Sequence, residues 1–151
     1  MMRGQRFDDE RWDEAGQALA EARRNNELHS IPILVEGKRD VETLRKLGFR
    51  GPIERIHRGQ PLDVVIVRLV EEYGIPRNIV GFNLYLLMDW DRTGGRLQKI
   101  CRTNFESLDF RFDENLRKTL MKYLFSITTT VEGMSGFLDL ILEKIEQADV
   151  L

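Results

Sequence analysis

Residues 84–95 read Leu84-Tyr85-Leu86-Leu87-Met88-Asp89-Trp90-Asp91-Arg92-Thr93-Gly94-Gly95. Five apolar residues without alternation predict a strand buried on both faces. The aspartates and the glycine pair that follow predict a tight turn into a helix over about 96–104. The same grammar occurs upstream. Ile31-Pro32-Ile33-Leu34-Val35 is strand-like, with Pro32 suited to its first residues, and Glu36-Gly37-Lys38-Arg39-Asp40 leads into a helix over 39–47 that Gly48 ends. Between these segments, 52–57 reads as a short strand and 62–73 as a helix. Downstream, 107–112 alternates like a strand, and Asp113 is placed to cap a helix over 114–124. Thr129 and Glu132 have capping-box spacing before a final helix near 131–146.

Residues 7–27 form a charged helical pattern with Phe7, Trp12, Ala15, Leu19 and Ala22 recurring at helical spacing. Such a helix is expected to pack over a core, with a homodimer interface as the alternative. The remaining order, β-α-β-α-β-α-β-α-α, predicts an α/β fold. Its sheet would be roughly four-stranded and mostly parallel, with helices on both faces, and the N-terminal helix would be an addition. The expected organisation is an N-terminal helical extension over 1–28 and a single domain over 29–151. Residues 74–83 are the longest connection without a clear pattern.

Composition narrows the function. The chain has 151 residues, 42% hydrophobic and 32% charged, which suits one globular core and excludes a disordered chain. Its 23 basic and 25 acidic residues give a net charge of −2, against a strongly basic, nonspecific nucleic-acid binder but not against a local basic patch. Cys101 alone can form neither an internal disulfide nor a cysteine zinc site. A lone Cys fits a reducing cytoplasm. The first residues lack the apolar core of a signal peptide, and no apolar run approaches the ~20 residues of a membrane helix. A cytoplasmic protein without membrane contact is expected. His29 and His57 lack ligand spacing and read as structural. Cys101 reads as buried and inert.

In open parallel sheets, ligands bind beyond the carboxyl ends of the strands. Asp89 and Asp91, two apart on an extended chain, project to the same side. Paired carboxylates suit Mg²⁺ or Mn²⁺, and without a cation they repel, raising one pKa. If 31–35 and 84–88 are neighbours, Glu36 joins them as general acid or base, or as a third ligand. Lys38 and Arg39 flank Glu36, and Arg92, Arg96 and Lys99 follow at i, i+4 and i+7. Residues 92–118 hold seven Lys or Arg against four Asp or Glu. A helix start opened by glycines also attracts phosphate. Trp90 is expected to cover the sheet end, with stacking on a base as the alternative. Each signal alone is weak; together they point to metal-assisted phosphoryl chemistry.

The segments Ile31–Asp40 and Leu86–Gly95 resemble the two motifs of the Toprim domain, over roughly residues 30–147. The overall look is similar to the small stand-alone archaeal Toprim proteins and to rRNA-maturation nucleases. The resemblance implies a Toprim, Rossmann-like fold. It implies Glu36 as general acid/base, Asp89 and Asp91 as Mg²⁺ ligands, and Gly37 and Gly94 as turn glycines, with Lys38, Asp40 and Arg92 assisting. Gly95 departs from the acid that topoisomerases carry there, and the length leaves no room for a tyrosine cleavage domain or a primase zinc module. The expected function is a Mg²⁺- or Mn²⁺-dependent phosphodiesterase on RNA or DNA. Glu36, Lys38 and Arg92 would be catalytic, Asp89, Asp91 and Glu36 would hold the metal, and Lys38, Arg39, Arg92, Arg96 and Lys99 would grip phosphates. Partners would be nucleic acid and a protein complex. One alternative is a non-catalytic nucleic-acid-binding module. A weaker one is a haloacid-dehalogenase-type phosphatase with Asp89 as nucleophile in Asp89-x-Asp91-x-Thr93, although that motif normally opens its domain and its later partners are not visible.

Overall fold

The computed structural model describes residues 3–56, 59–75 and 80–150. His57 and residues 76–79 lie outside that description, as does the side chain of Phe7. The elements run α1 (Arg3–Leu28), β1 (Ile33–Val35), α2 (Lys38–Lys46), β2 (Ile53–Arg55), α3 (Leu62–Tyr73), β3 (Tyr85–Leu86), α4 (Arg92–Ser107) and α5 (Asn115–Leu124). A 3₁₀ helix (Glu132–Phe137) and α6 (Leu138–Val150) close the chain.

The sheet is parallel, with strand order β2-β1-β3, and Ile33 registers with Ile53 on one side and Tyr85 on the other. Both faces are covered, as continuous apolar strands require. Ile33, Val35, Tyr85 and Leu87 point into a core with Leu19, Leu44, Leu47, Leu120 and Ile145. The alternate residues Leu34, Leu84, Leu86 and Met88 point into a second core with Val65, Ile66, Leu69 and Phe105. The two-residue period of the strands thus divides the molecule into two packed layers.

Among the described residues the sheet has three strands, not the four expected. Residues 107–112 do not form a strand. Ser107 ends α4, Asp109 turns through φ 55°, and the Phe110 N–H closes back on the Phe105 carbonyl at 3.0 Å. The chain then touches the β3 edge at one bridge, Tyr85 to Asp113. The alternation of Phe110 and Phe112 has a different cause: both rings pack on Phe105, with centroids 4.8 and 5.8 Å away. The final helix also departs from expectation. Its first turns are a 3₁₀ helix, and Thr130, not Thr129, accepts the Gly133 N–H at 2.9 Å. Gly133 and Gly136 weaken α-helix there. The Asp113 expectation holds, since its carboxylate accepts the Leu116 N–H at 3.0 Å.

Helix α1 packs over the core. Ala15, Leu19 and Ala22 are buried, α5 and α6 lie against it, and Gly16 admits the backbone of α6 at Lys144. Cys101 is buried and its thiol is pushed up to about 12, an inert state. No described helix is long and apolar enough to cross a membrane.

One buried side chain ties α1 to the sheet. The Asn26 amide donates to the carbonyls of Ile31 (2.8 Å) and Pro52 (2.9 Å), and its oxygen accepts the Gly51 N–H at 2.8 Å. A Cβ on Gly51 would overlap the Asn26 carbonyl. Asn26→Leu removes three hydrogen bonds and leaves the buried Ile31 carbonyl and the half-buried Gly51 N–H without this partner, each worth about 1–3 kcal/mol when unpaired and not additive, while the Pro52 carbonyl keeps the Ile33 N–H. A loss of about 3 kcal/mol is expected as a lower urea midpoint at unchanged slope. A loss under about 1 kcal/mol would show that Asn26 is not the tie.

Candidate active site at the carboxyl ends of the strands

Strands β1 and β3 are neighbours, so Glu36 and Asp89 leave adjacent strand ends. The Glu36 carboxylate accepts the Asp89 N–H at 2.8 Å. Burial, contact with Glu36 and the charge of Asp91 push the Asp89 carboxyl up to about 7. Its Oδ1 accepts the Val131 N–H at 2.7 Å. Asp91 begins α4 as its cap, accepting the Gly94 N–H on its side chain at 2.7 Å and the Gly95 N–H on its carbonyl at 2.9 Å. The helix start expected to attract phosphate therefore has both glycine N–H groups already engaged.

Asp40 is the fourth acid. It sits three residues after Gly37, whose N–H it accepts at 3.0 Å, and its other oxygen accepts the Glu132 N–H at 3.1 Å. Burial and the charge of Asp89 push it up to about 6. The turn glycines differ. Gly37 has extended backbone with open space at a Cβ position, so nothing there requires glycine. At Gly94 a Cβ would overlap the Asp89 carbonyl, so glycine is needed for the close approach.

The basic residues do not all meet the acids. Lys38, Arg92, Arg96 and Lys99 are exposed, and among the described residues none has an ion-pair partner. Arg39 lies 3.4 Å from Glu132. The local basic excess over 92–118 is not one groove. Arg102 is paired with Glu114 at 2.8 Å, and Arg117 is buried. Trp90 is buried and its ring N–H donates to the Thr128 carbonyl at 2.7 Å, so it covers the sheet end. His29 is exposed and not a core residue.

Two features escaped the sequence reading. The first is Arg117, whose guanidinium donates to the carbonyls of Met88 and Asp89, both at 3.0 Å. Burial lowers its pKa, yet a guanidinium keeps its charge, so it is a fixed cation beneath the acids. An arginine beside the apolar Leu116 and Leu120 gives no local sign of this. The second is the segment Thr128–Glu132, which crosses the strand ends. It accepts the Trp90 backbone N–H at the Thr129 carbonyl (2.8 Å) and supplies N–H groups to Asp89 and Asp40.

Among the described residues no group of three or more Asp, Glu, His or Cys is arranged to hold a metal ion. Mg²⁺ is satisfied by one or two carboxylates plus water, so a cation at these strand ends would need only one or two of Glu36, Asp89 and Asp91, not all three. Without a cation, the raised Asp89 and Asp40 values set the sign of the pH response. Below about pH 4 both states are protonated and neither residue matters. Between there and about pH 7 the unfolded chain loses protons that the folded one keeps, so stability falls as pH rises. In EDTA, the melting temperature should drop from pH 5 to pH 7.5, and Asp89→Asn should flatten that drop. An equal drop in wild type and variant would remove Asp89 as its source.

No family model and no solved structure matches the chain. Curated archaeal relatives do. The UPF0292 protein MJ1624 of Methanocaldococcus jannaschii is 29% identical over 113 residues, 75% of this chain and 82% of the relative. The UPF0292 protein PF1724 of Pyrococcus furiosus is 37% identical over 67 residues, 44% of each chain. A UPF0292 protein of Thermococcus onnurineus is 30% identical over 117 residues, 78% of each. These findings correct the Toprim assignment: no relative carries that name, no family model matches, and the sheet lacks the fourth strand. With two neighbouring strand ends carrying its acids and 78% of its length matched at 30% identity, the chain belongs to the UPF0292 family.

Proposed function

We propose that this protein is a Mg²⁺- or Mn²⁺-dependent phosphodiesterase acting on nucleic acid. The observation that carries this reading is the Glu36–Asp89 contact at adjacent strand ends, with Asp91 two residues on. Glu36 and Asp89 in contact, with the charge of Asp91 added, repel one another unless a proton or a cation lies among them. Hydrogen bonds engage one oxygen of Glu36 and one of Asp91, so each keeps a second oxygen for a ligand. When bound, the cation would neutralise phosphate charge and make a water more acidic.

The chain's own groups then have distinct work. Glu36, oriented by the Asp89 N–H, is the group that takes or returns a proton at the attacking or leaving oxygen. Asp91 and Asp89 would hold the cation. Arg117 restrains the backbone that aims Asp89, and its positive charge offsets part of the repulsion. Lys38 and Arg92, exposed beside the two turns, are placed for phosphate oxygens, and Arg96 and Lys99 extend that positive line along α4.

The test is cleavage of end-labelled single- and double-stranded RNA and DNA with Mg²⁺ or Mn²⁺. Glu36→Gln and Asp89→Asn/Asp91→Asn should each lose at least ~100-fold in rate, the usual scale for a proton-transfer group or more. Mg²⁺ should also raise the melting temperature of wild type but not of the double variant. Binding without cleavage would convert the reading to a nucleic-acid-binding module. Cleavage that survives both variants would overturn it.

A further inference from the structure

At the far end of α2 from the acids, a cavity of about 570 Å³ lies between the last turns of α1 and α2 and the side of α6. Arg23, Arg24, Arg45, Lys46 and Arg50 line it, against Glu27, Glu146 and Asp149. That volume falls within the range of small-ligand sites, but the lining is polar, which selects a charged occupant.

Part of this positive charge has a structural explanation. The carboxyl end of a helix presents unpaired carbonyls that attract cations. Arg23 donates to the Leu47 carbonyl at 3.1 Å and is paired with Glu146 and Asp149. Arg24 shares Asp149 at 3.3 Å. Arg45 donates to the carbonyls of Phe49 (2.8 Å) and Gly51 (2.7 Å), which fixes its position but leaves its charge without a carboxylate. Lys46 and Arg50 have neither carbonyl nor carboxylate partners among the described residues, and both are exposed. Helix capping and ion pairing therefore explain Arg23, Arg24 and the placement of Arg45. They do not explain three uncompensated cations around one cavity with only Glu27 opposing them.

We infer that this cavity binds phosphate groups, those of a nucleotide or of a nucleic-acid strand. Arg45, held rigidly, presents a planar fork suited to phosphate oxygens, and Lys46 and Arg50 add mobile charge. Leu142, half-buried, and Leu28, 67% exposed, supply an apolar wall against which a base can lie. The inference does not rest on the acids at the strand ends. The nine residues of α2 put the cavity about 13 Å from them along the helix at 1.5 Å per residue.

The test uses the full chain in EDTA, with a fluorescein-labelled single-stranded oligonucleotide followed by anisotropy and with ADP and pyrophosphate as competitors. Lys46→Gln/Arg50→Gln is the probing variant; neither side chain has a partner to lose, so the fold is unaffected. Lys118→Gln/Lys122→Gln, a charge-matched pair exposed on α5 and outside both the cavity and the strand-end site, is the control. The variant should bind the oligonucleotide at least tenfold more weakly, with a salt slope reduced by about 1.4 for two lost phosphate contacts. The control should bind as wild type does. Displacement by ADP, itself lost in the variant, would identify a free nucleotide as the occupant. Failure of ADP with loss of oligonucleotide binding would identify a strand. Unchanged binding of both ligands by the variant, or no binding by wild type, would overturn the inference whatever the nuclease assay shows.

Discussion

The approach of Gly94 to the Asp89 carbonyl, too close for a side chain, is the constraint around which this molecule is arranged. It lets α4 begin within three residues of the strand end and places Asp91 as the cap of that helix. The short turn leaves the backbone of Met88, Asp89 and Trp90 in need of partners from elsewhere. Gln98 on α4 accepts the Met88 N–H, Glu36 accepts that of Asp89, and Thr129 accepts that of Trp90. Arg117 on α5 answers the carbonyls of Met88 and Asp89. Four separate parts of the chain thus converge on three residues. Inside a protein such networks are strong when complete and costly when broken, so the strand end is held firmly before any ligand arrives.

The same network creates an electrostatic tension. Asp40 and Asp89 sit where desolvation disfavours their charge, and burial dominates the upward shifts of both. Arg117 moderates the tension without ending it, because its hydrogen bonds go to carbonyls and leave the acids free.

Much of this was legible in the chain, and the failures have physical causes. The apolar runs at 31–35 and 84–88 located the buried strands, since a parallel strand covered on both faces has no other composition. The acids after those runs located the candidate site, and parallel pairing of neighbouring strands made Glu36 meet Asp89. The segment 107–112 misled because a two-residue period shows only that alternate side chains are buried, and Phe110 and Phe112 achieve that on a helix end. Arg117 and the Thr128–Glu132 crossing were invisible because both act through backbone atoms of residues far along the chain. Likeness over two short motifs also misled at the level of family: strand-end acids and turn glycines are shared by many phosphoryl-transfer sites and do not by themselves fix ancestry.

Helix α2 carries a consequence of its own. It is only nine residues long, yet each end faces a different chemical problem. At its start, Asp40 accepts the Gly37 N–H and reaches across to Glu132, which anchors the helix to the acid-bearing strand end. At its finish, the Leu47 carbonyl accepts from Arg23, which anchors the helix to α1, and the helix's own Arg45 donates to the carbonyls of Phe49 and Gly51 in the turn before β2. The macrodipole favours this arrangement, with acid at the positive end and cations at the negative end. Helix stability alone therefore separates opposite charges to opposite ends of one rigid rod. That separation sets negative charge at one end of the helix and positive charge at the other, without any residue being spared from its structural task.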